Sequence, residues 1–430
     1  MLDTFKIYNL LLNKSKLKDN VLHKFVERTN NYFFIIKSDL DKISPLESID
    51  VLSLLIETQP FFINTNEWEK LVGLCLTSIR DSIYKNEITS ISAFSGYSYI
   101  CFIVRELVKR IPDLYNFQQN LELLLSNSIR SYLNLRYKSN FEFAGNFELI
   151  NGLAGLLKCC CDVSALETCN QYIDEIIFIL LERLKPKIVS GKPVPGFYYI
   201  PSKIEKHYMH VDAPNGCVNY SMSHGIAGTL CALSFAYLTH HNSEIKSTAE
   251  ILIDALLNVR YYVNDIAYWP GRITIEQYWG TQRISHIANQ MSWCYGSPGI
   301  LRAIYIAANA FNMSNIKNMA VNEMKKISIL DRSEYNLTSP IVCHGLSGMA
   351  LIMRTMYEDT KELVFLSRLE QILDLLIFNF AYKEISNYNF SKINGIYKYD
   401  YLEGYSGILQ TIYSILTGHI NVNEKRLLIR

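Results

Sequence analysis

Four of the residues able to hold a metal or move a proton stand one or two positions before glycines. They are Cys294 in Cys294-Tyr295-Gly296, Cys343 and His344 in Cys343-His344-Gly345, and His224 in Ser223-His224-Gly225. Each of the two cysteines precedes its glycine by two positions, and each of the two histidines by one. Two thiols and an imidazole make a borderline-soft donor set that suits Zn2+. Three protein ligands leave one tetrahedral position open, the mark of a catalytic rather than a structural zinc. His224 has three readings at this point: a fourth ligand, a general acid/base, or a satisfied core histidine. The acid/base reading fits best, because imidazole titrates near neutral pH. His207, His210 and His286 fall in long connections and are further candidates to line a site, whereas His23, His240, His241 and His419 read as surface residues. Cys101, Cys159, Cys160, Cys161, Cys169 and Cys231 lie on apolar stretches and read as small core residues.

These positions recur because the chain repeats. A glycine followed by an apolar helical stretch appears at Gly96, Gly152, Gly225, Gly296, Gly345 and Gly404. A second glycine follows three residues later in every case but the first, where Tyr99 stands instead. Between the glycines lie amphipathic stretches at 118–136, 163–184, 243–262, 314–327 and 360–380, apolar at spacings of three and four and charged on the other face. The unit is therefore a helical hairpin, and a hairpin of this kind must stack on neighbours to bury its apolar face. The post-glycine helices carry few charges and suit an inner layer; the more charged ones suit an outer layer. The pattern predicts an all-α fold, an α/α toroid of six or seven hairpins, with the seventh drawn from 45–90, which has no glycine motif. The residues before the glycines (Ser95, Asn151, His224, Tyr295, His344 and Glu403) then share one rim. Residues 1–430 are expected to form one toroid domain. A proline-rich irregular or β-containing insertion is expected at 185–216, and 259–293 is expected to be a second long connection.

Composition narrows the alternatives. With 42 Lys plus Arg against 41 Asp plus Glu, the formal net charge is +1, so the chain lacks the basic field a nucleic-acid binder needs. A hydrophobic fraction of 49% argues against disorder. Ten cysteines without a secretory signal pattern suggest a reducing, cytoplasmic setting, and no apolar run has the length of a membrane span.

The motifs SHGIAG (223–228), WCYGSPG (293–299) and CHGLSG (343–348), in that order, resemble those of the lanthionine synthetase C-like family, the lantibiotic cyclases. INGLAG (150–155) and LEGYSGI (402–408) extend the likeness over most of the chain. The resemblance implies an α/α toroid and one catalytic Zn2+ held by Cys294, Cys343 and His344. It implies His224 as the catalytic histidine and a role for Tyr295 beside the zinc ligand. Glu148 stands where the family commonly has Asp, so the carboxylate is kept with one more methylene. Gln290 stands where many members have Arg, so a permanent positive charge is lost. The implied reaction is thioether formation. A substrate cysteine thiol takes the open zinc position and adds as thiolate to the β-carbon of a dehydroalanine or dehydrobutyrine in a dehydrated lantibiotic precursor. The resulting enolate is protonated, with His224 the candidate donor and Glu148 assisting. Further implied partners are a dehydratase and an ABC exporter, through which the enzyme would associate peripherally with a membrane.

Three other readings remain in view. Another zinc-thiolate enzyme, alkylating a peptide cysteine with a prenyl donor, needs a diphosphate-binding basic cluster, and none stands out near the motifs. A non-enzymatic peptide- or thiol-binding scaffold of the same family would not need an intact zinc set. A glycan-processing toroid needs paired carboxylates, and only Glu148 and Glu403 lie near the rim motifs.

Overall fold

A computed structural model describes residues 1–138, 147–162, 167–201, 213–284, 290–382 and 399–430. By contacts the chain divides into two compact units, one made of Met1–Thr89 with Ser328–Lys425 and the other of Ser90–Ile327 with Arg426–Arg430.

The first unit opens with α1 (Thr4–Lys14) and α2 (Asp19–Asp39), followed by α3 (Pro45–Thr58) and α4 (Thr65–Tyr84). Ser44 and Glu47 form a capping box ahead of Pro45, which pre-sets the first turn of α3. Every residue of α3 from Ser48 to Thr58 is buried, whereas α4 buries one face through Trp68, Leu71, Val72, Cys75 and Ile79. The two helices pack together and supply the hairpin that has no glycine motif.

In the second unit the post-glycine stretches form α5 (Tyr97–Val108) and α7 (Leu153–Cys161), each followed by a partner helix, α6 (Tyr115–Lys138) and α8 (Ile173–Leu184). Strands β1 (Lys187–Val189), β2 (Lys192–Val194), β3 (Tyr198–Tyr199) and β4 (Cys217–Asn219) follow. The described part of the proline-dense stretch thus carries short strands, and β1 and β2 pair through a turn with Ser190 and Gly191 at φ 50° and 74°. Next come α9 (Ile226–His240), α10 (Ser243–Asn258), β5 (Tyr261–Val263), β6 (Ile266–Tyr268), β7 (Arg272–Thr274) and the single turn α11 (Ile275–Tyr278). The helix expected over 243–262 therefore stops at Asn258. Tyr261 and Tyr262 instead pair with Tyr268 and Ala267 across a hairpin whose turn residues, Asn264 and Asp265, both have positive φ. Helices α12 (Ser297–Ala310) and α13 (Ser314–Ser328) close this run.

Back in the first unit lie α14 (Leu346–Thr360), α15 (Leu363–Tyr382), α16 (Tyr405–Thr417) and the short α17 (Val422–Arg426). Helix α14 packs on α15, α15 on α2, and α16 on α3. The two-layer reading holds within each unit. Ile226–Ser234, Ser297–Ala308, Leu346–Met356 and Tyr405–Ser414 are buried on all sides, while α10, α13 and α15 bury one face. Among the described residues no helix is long and apolar enough to cross a membrane.

The glycine pairs are explained by close approach. The first glycines cap α5, α7, α9, α12, α14 and α16 with extended backbone that any residue can adopt. A Cβ would nevertheless overlap main-chain atoms of Ser90 at Gly96, Ser221 at Gly225, Ser292 at Gly296 and Ser339 at Gly345, and at the second glycines it would overlap a main-chain carbonyl: Leu149 for Gly155, Met222 for Gly228, Trp293 for Gly299 and Tyr401 for Gly407. These four inner helices, α7, α9, α12 and α16, thus start pressed against the turns that precede them.

Candidate active site

Five of the six glycine turns are built the same way; before Gly345 the equivalent position is Ile341, and Ser339 Oγ instead accepts from Ile341 N at 3.3 Å. In the five, the residue four before the glycine turns its side chain back onto the main chain. Ser92 Oγ accepts from Phe94 N at 2.9 Å and Ser95 N at 3.1 Å, and Ser221 Oγ accepts from His224 N at 3.1 Å. Ser292 Oγ accepts from Tyr295 N at 3.4 Å, and Asp400 Oδ1 accepts from Glu403 N at 2.6 Å. Glu148 does the same for Ile150 N and Asn151 N. Such local bonds compete with helix and fix a turn. Within each unit successive turns are also joined in equivalent register. Cys294 O accepts from Met222 N at 2.8 Å and Ser223 N at 3.4 Å, and Leu402 O accepts from Val342 N at 3.1 Å and Cys343 N at 2.9 Å.

The ligand atoms of Cys294, Cys343 and His344 lie within 4.8 Å of one another, the one such group among the described residues. Zinc bonds of about 2.3 Å to sulfur and about 2.0 Å to nitrogen put tetrahedral ligands about 3.5–4 Å apart, so the three need little movement to share one ion. The donor set and its spacing fit Zn2+. Cys294 is buried, whereas Cys343 and His344 are half-buried. The Ser292 hydroxyl lies 3.6 Å from Cys294 Sγ.

His224 Nδ1 sits 2.7 Å from Glu148 Oε2. Glu148 is 3% exposed, and its carboxylate also accepts the two main-chain N–H groups named above. An ionised Glu148 accepts from Nδ1–H, which leaves Nε2 of His224 to exchange a proton. The His224 side chain remains 36% exposed, enough for contact with a ligand. The Tyr295 ring lies 6.4 Å from the His224 ring, centroid to centroid, and its Oη accepts from Asn219 Nδ2 at 3.3 Å. Burial pushes the Tyr295 hydroxyl up, against the opposing effects of the Asn219 hydrogen bond and the Arg272 charge.

Asn219 and Arg272 carry no signature in the sequence. They are opposite one another on β4 and β7 of a three-stranded antiparallel sheet ordered β3-β4-β7, so they share a face. Asn219 is fully buried; its Oδ1 accepts from Ser221 N at 2.9 Å while its amide reaches Tyr295. A Cβ on Gly271 would overlap the Tyr295 ring, so the sheet and the ring are in direct contact. Three-residue strands carry too little alternation to be read from sequence.

Other expected residues fall as follows. Gln290 is exposed, and Glu403 is half-buried on its turn. His207, His210 and His286 lie outside the described residues. The six cysteines assigned to packing are all buried, and burial pushes the thiols of Cys161 and Cys231 up to about 12.

The family described as lanthionine synthetase C-like protein matches residues 51–428. Among curated relatives, the nisin biosynthesis protein NisC of Lactococcus lactis subsp. lactis is 21% identical over 355 residues, covering 79% of this chain and 80% of its own. Among solved structures, a nisin cyclase superposes with a TM-score of 0.77 at 19% identity, over 93% of this chain and 97% of its own. That likeness shows the fold to be the α/α toroid expected from the glycine repeat.

Proposed function

The chain belongs to the lanthionine synthetase C-like family, and from that premise we propose that it is a zinc-dependent cyclase. It closes thioether rings by adding cysteine thiols of a dehydrated lantibiotic precursor to dehydroalanine or dehydrobutyrine. The observation that carries the reading is the convergence of Cys294, Cys343 and His344 from two different glycine turns onto one metal-sized group. The names of the relatives, a nisin biosynthesis protein and a nisin cyclase, support the same substrate class.

Zinc, when bound by Cys294 Sγ, Cys343 Sγ and the His344 ring, acidifies a substrate thiol so that it reacts as thiolate at neutral pH. The chain's own residues do the rest. His224 Nε2 delivers a proton to the substrate α-carbon once sulfur has bonded to the β-carbon, and Glu148 holds the ring through Nδ1. Atoms balance, since the thiol proton is lost and one proton is gained at carbon, with no change in oxidation state. The Tyr295 ring forms a wall beside His224, fixed by Asn219 and by its contact with Gly271. Holding both reacting residues of one peptide here supplies proximity. The same reading allows partnership with a dehydratase and an exporter.

The test is metal analysis together with cyclisation of a dehydrated precursor. Purified protein should carry one zinc, and Cys294→Ala should lose both the metal and ring closure. Ring closure by metal-free protein would overturn the zinc role. A protein that binds zinc and the peptide but never closes a ring would instead be a binding scaffold.

A further inference from the structure

We propose that residues 426–430 form a strap that fixes the turn carrying Cys294 and thereby sets the metal affinity of the centre. The proposal rests on the reading of Cys294, Cys343 and His344 as a zinc centre.

Leu427, Leu428 and Ile429 are each 0% exposed, yet after Arg426 the segment belongs to no helix or strand. Buried irregular backbone must find partners for its carbonyls. Leu427 O accepts from Trp293 Nε1 at 3.1 Å. Ile429 O accepts from Arg302 Nε at 2.8 Å and Nη2 at 2.6 Å. Both donors flank Cys294 in the chain: Trp293 is the preceding residue, and Arg302 lies on α12, the helix that this turn opens. On its other side the segment is anchored by Arg426. The Arg426 guanidinium lies 3.5 Å from the Tyr99 ring centroid and 4.5 Å from that of Phe94, and it donates to Ala93 O at 3.3 Å.

Leu428 has φ 56°, in the left-handed region that a leucine rarely enters. Such a conformation persists where the surroundings over-determine it, and here the carbonyls on both sides are pinned. The Cys294 turn is thus clamped from several directions. Its carbonyl takes two N–H groups from Met222 and Ser223, the Trp293 carbonyl is pressed against Gly299, and the Trp293 indole is tied to the strap. Releasing the indole leaves Leu427 O buried without that partner and frees the residue next to the cysteine ligand. Groups that orient a metal ligand in this way typically change metal affinity about 10–100-fold when removed.

The experiment measures zinc affinity by chelator competition and the absorption spectrum of the cobalt-substituted protein, which reports ligand geometry directly. The variants are Trp293→Phe, Arg302→Met and Arg302→Lys, each with a thermal melt. Trp293→Phe and Arg302→Met should weaken zinc binding about ten-fold or more and alter the cobalt spectrum while still melting cooperatively. Arg302→Lys, which keeps a donor for Ile429 O, should recover much of the affinity. Lower melting temperatures with wild-type affinity and an unchanged cobalt spectrum would overturn the strap. Wild-type protein that takes up no stoichiometric metal would overturn the zinc centre instead. Should Trp293→Phe fail to fold, the two Arg302 variants decide on the same readouts.

Discussion

The Glu148 carboxylate serves two masters at once: Oε2 lies 2.7 Å from His224 Nδ1, and the same group accepts Ile150 N and Asn151 N of its own turn. Four other turns cap their N–H groups with Ser92, Ser221, Ser292 and Asp400. In the second repeat that local cap also orients a histidine from the third.

Glu148→Gln keeps the shape and loses one acceptor oxygen. The two main-chain donors use different oxygens, so in either orientation the new amide NH2 faces a main-chain N–H, and in one of them it faces the His224 ring as well. A buried donor facing a donor costs about 1–3 kcal/mol. The variant should melt at a lower temperature and turn over more slowly, with zinc content unchanged. Equal stability and turnover would detach Glu148 from both roles.

His224→Asn removes the proton donor. Its turn is capped through main-chain N by Ser221 Oγ, so the backbone should stay in place. Cyclisation should fall about 10²–10⁴-fold with metal retained, which is the usual contribution of a positioned acid or base. Turnover at the wild-type rate with one zinc bound would assign the proton transfer elsewhere.

The glycines give a paired test. Gly299→Ala forces a Cβ into the Trp293 carbonyl and should cost about 1–3 kcal/mol of stability, with weakened metal binding because Cys294 is next to Trp293. Gly73, exposed on α4 with nothing within 4 Å of its Cβ position, should do the reverse. Gly73→Ala should stabilise by about 1 kcal/mol through helix propensity and a less flexible unfolded chain. Thermal melts of the two variants should move in opposite directions.

Much of this was legible because the repeat put chemistry in register. Cys294 and Cys343 stand out in the sequence as equivalent positions before Gly296 and Gly345, and their convergence follows once the hairpins stack. The inner layer was legible for the same reason, since the fully buried stretches of α9, α12, α14 and α16 carry at most one charged residue each. The helix end at Asn258 was hidden because Val259 to Tyr262 continue the apolar spacing, while the Asn264–Asp265 turn draws Tyr261 into a strand. Asn219 and Arg272 were hidden because cross-strand pairing between three-residue strands leaves no periodic trace. The strap at 426–430 was hidden because its bonds run from main-chain carbonyls, which carry no residue signature.

Thiol reactivity offers the last test. Of the ten cysteines, all of which lie among the described residues, Cys343 alone is not buried. Metal-free protein at pH 8 should be alkylated first at Cys343, and added zinc should suppress that labelling because the sulfur becomes a ligand. The buried thiols set the alkaline limit. Burial pushes Cys75, Cys161 and Cys231 up to about 12, whereas thiols of an unfolded chain ionise near about 8.5. A folded pKa raised above the unfolded one means that the stabilisation is fully present below about pH 8.5 and is lost as pH climbs toward about 12. Stability should therefore fall steadily above about pH 9, and labelling should then spread from Cys343 to the buried set as molecules unfold. Mass mapping of alkylated peptides at both pH values checks the order. Early labelling of Cys101 or Cys231 at pH 8 in folded protein would contradict the packing described for the inner helices.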